Sequence, residues 1–130
     1  TSTSLKYEGT HHIDMYAKFM NVTSILLSSY PYGHASYSLL ESNATYFKSL
    51  GYAIQRLPMA DKETGLEYAT HVNSLIANER ALVPTYAASS DGLALSAHTG
   101  YGYKAYPIDC RLLIEYGGAV HCITYGVPKR

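Results

Sequence analysis

The pattern of apolar and polar positions divides the first half of the chain into strands and one helix. Alternation over residues 12–20 (HIDMYAKFM) predicts a strand, and the more continuously apolar residues 23–30 (TSILLSSY) predict a second, more buried strand after a turn. Apolar residues then recur at helical spacing as far as Gly51, which stands where a helix C-terminus favours glycine. Residues 52–57 predict a third strand, which ends at Pro58.

The second half repeats this order after a polar loop predicted over residues 59–70. The elements that the pattern predicts are two strands joined by a tight turn at Asn78-Glu79, a helix and a third strand, over residues 71–78, 80–87, 91–100 and 103–109. A short helix from Cys110 and a further strand over residues 119–126 complete the prediction.

Two strand–strand–helix–strand units therefore follow one another in a single α/β segment that spans residues 1–130. We place the units at about residues 11–58 and 70–118, and residues 119–130 would open a third. The leading strand of each carries a polar or reactive residue near its start: His12, Asn73 and Cys122. If the units are related by rotation about a common axis, these three residues converge on one site.

Composition limits the classes of function. A chain of 130 residues with 47% hydrophobic and 15% charged residues is typical of one folded globular domain. Ten basic and ten acidic residues balance, so nothing indicates a nucleic-acid partner, and the apolar runs are too short for a membrane span. Fourteen tyrosines suit a half-open cleft or an interface. Together with sequons at Asn21 and Asn43, they are compatible with a secreted or extracellular protein.

Three residues could carry acid–base or nucleophilic chemistry. On a predicted strand His12 and Asp14 point to the same face, where a carboxylate can orient an imidazole for proton transfer. A buried hydrogen-bonded pair without a chemical role is the alternative. Cys122 is either a small buried residue or a nucleophile, and on a strand its neighbour His121 would point to the opposite face, which makes His12 the better base. Metal binding by His11, His12 and Asp14 is weakly indicated, and no cofactor is expected.

The remaining candidate residues favour structural roles. Asn73 taken alone is best explained as a strand-edge or turn contact. Cys110 is expected in the core, and its position does not favour a disulfide with Cys122. The other histidines stand in predicted loops or at the ends of elements and are expected at the surface: His34, His71 and His98.

Three blocks in order, HHIDMYAKF, HVNSLIANERALVPTY and GGAVHCIT, resemble the C-terminal half of bacterial peptidylarginine deiminases and agmatine deiminases, which belong to the guanidine-modifying pentein superfamily. The first two blocks are more similar to the peptidylarginine deiminase branch, and the resemblance extends from His11 onward. It implies an α/β propeller of five ββαβ pseudo-repeats around a central active site. About two repeats and the opening strand of a third would be present here.

The resemblance also implies roles for individual residues. Cys122 would attack the guanidinium carbon, and His12 would protonate the departing ammonia and then activate water. Asp14 would hold the guanidinium through a bidentate contact, and Asn73 would lie near the catalytic centre. The product would be a ureido group, which is citrulline when the substrate is an arginine-containing peptide.

The resemblance leaves two alternatives to an active peptidylarginine deiminase. The family's other half supplies a second guanidinium-binding carboxylate and the groups that recognise the rest of the substrate, so this chain by itself is expected to be inactive without a completing chain or further copies of itself. An agmatine deiminase acting on a small guanidine is the alternative within the enzyme class. A non-catalytic assembly protein, whose open sheet edge recruits a neighbour, is the alternative outside it.

Overall fold

In the part of the chain that the structure describes, two three-stranded sheets have the same strand order. The structure is a computed structural model that describes residues 5–6, 9–60 and 64–127. The first sheet has the order β1–β2–β3 and the second β4–β5–β6. The strands are β1 (Ala17–Asn21), β2 (Ser24–Ser29), β3 (Ala53–Pro58), β4 (Leu75–Ala77), β5 (Arg80–Thr85) and β6 (Lys104–Asp109).

Each sheet combines an antiparallel hairpin with a parallel crossover. β1 pairs antiparallel with β2, and β2 pairs parallel with β3 through helix α1 (Tyr37–Ser49). β4 pairs antiparallel with β5, and β5 pairs parallel with β6 through helix α2 (Asp91–Gly100). A parallel pair needs such a crossover because its strands start at the same edge of the sheet. These strands and helices confirm most of the elements that the hydrophobic pattern predicts.

The central strand β2 separates two apolar cores. Ile25 and Leu27 pack into one cluster with Met15, Leu40 and other residues, and Leu26 packs into the other. Successive side chains of a strand point to opposite faces, so a strand buried on both faces contributes to two cores. This is why residues 23–30 show a continuous apolar run rather than alternation.

The prediction of a strand over residues 12–20 is wrong at its start. Ile13–Met15 form a short 3-10 helix, which the Met15 N–H and the Tyr16 N–H close by donating to the carbonyls of His12 and Ile13. The β1 ladder begins only at Ala17. In the 3-10 turn Met15 is fully buried while Ile13 is 57% exposed, so the two apolar residues that suggested alternation do not share one buried face.

The strand predicted over residues 71–78 is shorter than expected. Only Leu75–Ala77 pair with β5, because side chains and local turns satisfy the preceding backbone. Thr70 Oγ1 accepts from the Val72 N–H, and the Ser74 N–H donates to the Val72 carbonyl at 2.7 Å. The tight turn at Asn78-Glu79 is confirmed, with both residues at positive φ (49° and 64°).

The strand predicted over residues 119–126 is not formed. His121–Ile123 make a 3-10 turn, and the N–H groups of Ala119, His121 and Cys122 donate to Asn73 rather than to a neighbouring strand. The short helix predicted after Cys110 is present as a 3-10 helix over Leu113–Tyr116.

Three further sequence predictions concern burial, loops and membranes. Cys110 is buried as expected, and both cysteines are free thiols. The predicted loop over residues 59–70 includes residues 61–63, which lie outside the described part of the chain. No helix within the described ranges is long and apolar enough to cross a bilayer.

Candidate active site

An open cleft of about 450 Å³ brings together the ends of segments that are far apart in sequence. The 3-10 turn after His12 forms one side, and the turn around Cys122 forms the other. The residues that line the cleft are Thr10, His12, Asp14, Leu113, Tyr116, Gly117, Gly118, His121, Cys122 and Ile123.

Asn73 lies fully buried behind this cleft and joins its two sides. Its Nδ2 donates to Asp14 Oδ2 at 2.9 Å and to Cys122 Sγ at 3.1 Å. Its Oδ1 accepts from the N–H groups of Ala119 at 3.1 Å and Cys122 at 3.2 Å, and its carbonyl accepts from the His121 N–H at 3.1 Å. Of the two structural roles expected for Asn73, the turn contact is present and the strand-edge contact is not, and the same amide also donates to Asp14 and Cys122.

Asp14 is partly buried at the floor of the cleft. Its Oδ2 accepts from Asn73 and from His121 Nδ1 at 2.6 Å, and Cys122 Sγ lies 3.7 Å away. Burial opposes ionisation, but the hydrogen bonds and charge of His121, with the bonds from Cys122 and Asn73, outweigh it and lower the pKa of Asp14. Asp14 is therefore an anion at neutral pH.

His121 is a site residue that the sequence interpretation missed. On the predicted strand it would point away from Cys122, but in the observed 3-10 turn its ring reaches Asp14. Its side chain is 44% exposed, so the ring can leave the carboxylate without disturbing a core. The position of His121 next to Cys122 in the sequence could have indicated a site residue. The incorrect prediction of a strand at this position led to the opposite conclusion.

The Cys122 thiol is accessible from the cleft. Burial of its inner side and the negative charge of Asp14 raise its pKa, while the hydrogen bond from Asn73 opposes that rise. Without a bound cation the sulfur is therefore held mainly as the neutral thiol.

His12 lines the same cleft but lies at its exposed rim. Its backbone N–H donates to Thr10 Oγ1 at 3.3 Å. Among the described residues none hydrogen-bonds to its ring, so the structure brings His12 to the cleft without joining it to Cys122 or Asp14.

Lys18 is a second residue that the sequence interpretation did not identify. It lies on β1, four residues after Asp14 in the sequence, and its Nζ donates to the Ser74 carbonyl. Burial lowers the pKa of Lys18, and the charges of Asp14 and Cys122 oppose that effect. The ammonium thus places a positive charge behind the anionic floor of the cleft.

Two of the three histidines predicted at the surface are buried. His71 and His98 are 1% and 0% exposed, and each bonds to a carbonyl and a serine hydroxyl. Their polar atoms are paired within the fold, which offsets the cost of burying them.

Within residues 5–6, 9–60 and 64–127, no cluster of three His, Cys, Asp or Glu side chains is arranged to hold a metal ion.

Known structures share this fold. The chain superposes on a protein from Porphyromonas gingivalis, provisionally assigned as an arginine deiminase, with a TM-score of 0.81 and 32% identity over 92% of this chain and 39% of that one. It superposes on C. jejuni agmatine deiminase with a TM-score of 0.76 and 24% identity, over 90% of this chain and 37% of that one. It superposes on the agmatine deiminase of Enterococcus faecalis with a TM-score of 0.78 and 19% identity, over 92% of this chain and 41% of that one. These proteins are deiminases of the pentein fold.

The chain thus spans about two fifths of the length of these relatives. Among curated proteins, no match to the chain is found. Residues 4–128, nearly the whole chain, match the sequence pattern of one family of deiminases. The chain belongs to the Porphyromonas-type peptidyl-arginine deiminase family.

Proposed function

We propose that this chain carries the nucleophilic part of a peptidylarginine deiminase, which hydrolyses a guanidinium group to a ureido group and ammonia. The observation that carries the proposal is the placement of a thiol and a carboxylate in one open cleft. Cys122 Sγ lies 3.7 Å from Asp14 Oδ2, and Asn73 donates to both. A planar cation bound to that carboxylate would have its central carbon within reach of the sulfur.

The electrostatics of the cleft favour a cationic substrate. Asp14 is ionised, and its negative charge holds Cys122 as a thiol. A guanidinium that binds Asp14 neutralises this charge and itself favours the thiolate, so the nucleophile forms when the substrate is present. In this structure His121 Nδ1 is hydrogen-bonded to Asp14 Oδ2, so a bidentate contact between Asp14 and a guanidinium requires the His121 ring to move aside.

The reaction then proceeds in two halves. The Cys122 thiolate forms a bond to the guanidinium carbon, His12 donates a proton to one nitrogen, and the carbon–nitrogen bond breaks to release ammonia. His12 next takes a proton from water, the oxygen bonds to the carbon of the thiouronium intermediate, and the carbon–sulfur bond breaks. The product oxygen loses its remaining proton to solvent, the neutral ureido product leaves and the Cys122 thiolate is restored.

The proposed substrate is an arginine side chain within a peptide. The family match to peptidyl-arginine deiminases supports this choice, and a small guanidine such as agmatine is the alternative. Because the chain spans about two fifths of its relatives, turnover is proposed for the protein that includes the remaining part, supplied by a completing chain or by further copies. A secreted or extracellular location remains a prediction.

Two alkylating reagents of different charge test the binding of a cation at Asp14. Chloroacetamidine imitates a guanidinium, and chloroacetamide is its neutral counterpart. We expect Asp14→Asn to slow the cationic reagent roughly 10- to 100-fold, since a charge-assisted hydrogen-bonded contact contributes about 1.5–3 kcal/mol. The same variant should speed the neutral reagent, because it removes the charge that raises the pKa of Cys122.

Asp109→Asn is the matched control. The carboxylate of Asp109, at the end of β6, is exposed and pairs with Arg111, which follows the strand. It should change neither rate. A change of both rates in the same direction in Asp14→Asn would contradict the proposed role. A colorimetric assay for ureido products, with an arginine-containing peptide and with agmatine, then decides between the two substrates.

The assembly alternative has support from exposed apolar side chains. In the last described segment Tyr116, Tyr125 and Val127 are each more than 80% exposed. If assembly is the function, light scattering should show a stable oligomer, and Cys122→Ala should leave both the oligomer and the biological effect unchanged. Loss of ureido product in Cys122→Ala would instead support the enzyme.

A further inference from the structure

The buried segment that carries Asn73 has little regular backbone structure to hold it. The β4 ladder begins only at Leu75, and the Ser74 N–H closes a tight turn onto the Val72 carbonyl. A non-repetitive segment is positioned by whatever side-chain hydrogen bonds anchor it. The orientation of the Asn73 amide therefore depends on the contacts of its neighbours as well as on its own.

His98 anchors this segment from helix α2. Its Nδ1 lies 2.8 Å from the Ala94 carbonyl, which can only accept, so Nδ1 carries the proton. Its Nε2 is then an acceptor for the Ser74 hydroxyl, at 2.9 Å. Burial lowers the pKa of His98, and the charges of Lys18 and His71 act in the same direction, so the ring stays neutral and keeps this arrangement.

Ser74 connects this histidine to both sides of the cleft. Its carbonyl accepts from Lys18 Nζ on β1, the strand that follows the Asp14 turn. Its neighbour Asn73 donates to Asp14 and Cys122 and accepts from the turn at residues 119–122. A displacement of Ser74 is thus passed directly to the residue that contacts the nucleophile.

We propose that His98, through its hydrogen bond to Ser74, is a positioning residue that holds the Asn73 amide against Cys122 and Asp14. This inference rests on the proposed function, in which Cys122 is the nucleophile, and on the hydrogen bond that Asn73 donates to its sulfur. His98 itself lines no part of the cleft and touches no reacting atom.

A second serine–histidine pair, at the other end of the same segment, provides a control, because His71 lies two residues before Asn73 rather than next to it. His71 also bonds through Nε2 to a serine hydroxyl, that of Ser90, at 2.8 Å, and its Nδ1 is held by the Pro84 carbonyl. Ser90 lies at the start of α2, away from Asn73 along the chain. Deletion of either hydroxyl removes one serine–histidine bond, but only Ser74 adjoins the amide that contacts the sulfur.

The experiment measures the pH dependence of Cys122 alkylation by neutral iodoacetamide, followed by mass spectrometry of the Cys122 peptide, together with Tm. Removal of the amide donor in Asn73→Ala should raise the alkylation midpoint by about one pH unit. His98→Leu and Ser74→Ala should raise it in the same direction, and His98→Gln, which keeps an acceptor near the Nε2 position, should restore the wild-type midpoint. Ser90→Ala should lower Tm without moving the midpoint.

The double variant separates positioning from general destabilisation. If His98 acts through Ser74, then His98→Leu combined with Ser74→Ala should shift the midpoint no further than either change alone. Wild-type midpoints in folded His98→Leu and Ser74→Ala, with a shifted midpoint in Asn73→Ala, overturn the role of His98 and leave the proposed function intact. An unshifted midpoint in Asn73→Ala also overturns the role of His98, because the contact that His98 is proposed to hold then has no effect, whereas the proposed function is decided separately by the chloroacetamidine rates of Asp14→Asn.

Discussion

Gly118 leaves no room for a side chain beside the reactive thiol. A Cβ at this position would lie 2.6 Å from Cys122 Cβ and 3.0 Å from Cys122 Sγ. Carbon atoms in contact are separated by about 3.5–4.0 Å, so Gly118→Ala requires a displacement of about 1 Å. Cys122 cannot move freely, because Asn73 holds its N–H and that of Ala119.

Two consequences follow from that displacement. Overpacking of this kind lowers the free energy of unfolding by about 1–3 kcal/mol. Misplacement of a reacting atom by about 1 Å can slow a reaction roughly 100-fold. We therefore expect Gly118→Ala to lose stability in urea unfolding and to react with chloroacetamidine at least about tenfold more slowly than wild type.

Two neighbouring glycines provide the controls. Gly117 has a φ of 87°, so Gly117→Ala should cost about 1–2 kcal/mol of stability through backbone strain, with Thr10 as its nearest neighbour rather than the thiol. Gly126 has nothing within 4 Å of the position of a Cβ, and Gly126→Ala should change neither property. Wild-type reactivity and stability in Gly118→Ala would show that the close approach of Gly118 to Cys122 does not constrain the thiol.

Three further predictions concern the turn, a buried thiol and the acidic range. Glu79→Gly should raise the free energy of unfolding by roughly 1 kcal/mol in urea titrations, because Glu79 has a φ of 64°; an unchanged or lower value would contradict this. Burial raises the pKa of Cys110 from 9.0 to about 11, so the thiol stabilises the fold below pH 9 and this contribution is lost as the pH rises through 11. Between pH 9 and 11 the Tm of Cys110→Ala should therefore fall less steeply than that of the wild type. Because the pKa of Asp14 is lowered from 3.8, its ionised form stabilises the fold above that pH, and the contribution is lost as the pH falls further. The Tm of Asp14→Asn should therefore decrease less in acid than that of the wild type, and an equal decrease would contradict the stabilising role of the Asp14 contacts.

The hydrophobic pattern was informative wherever local sequence decides the structure. The buried strand β2, helix α1 with Gly51 at φ 91° after it, and the turn at Asn78-Glu79 all follow from neighbours in the chain. Apolar periodicity and turn residues act over a few positions, so a single sequence is enough to predict them. The ordered blocks around His12, Asn73 and Cys122 likewise indicate the family from the sequence alone.

The predictions failed where a long-range contact replaced local regularity. Periodicity predicts strands over residues 12–20 and 119–126, but Ile13–Met15, at the start of the first, and His121–Ile123, within the second, form 3-10 turns. A strand needs a neighbouring ladder, and the sequence does not state which partner will be present. The pairing of His121 with Asp14 joins residues 107 positions apart, and no spacing rule reaches that far.

The order of the elements, the family and the identity of the candidate chemical groups follow from the amino-acid sequence alone. Three features depend on the packing of distant segments: Asn73 bridges Asp14 and Cys122, His121 contacts the carboxylate, and His98 is buried behind them. The physical reason is that propensity and periodicity are properties of neighbouring residues, whereas hydrogen-bond partners and desolvation depend on which distant segments pack together.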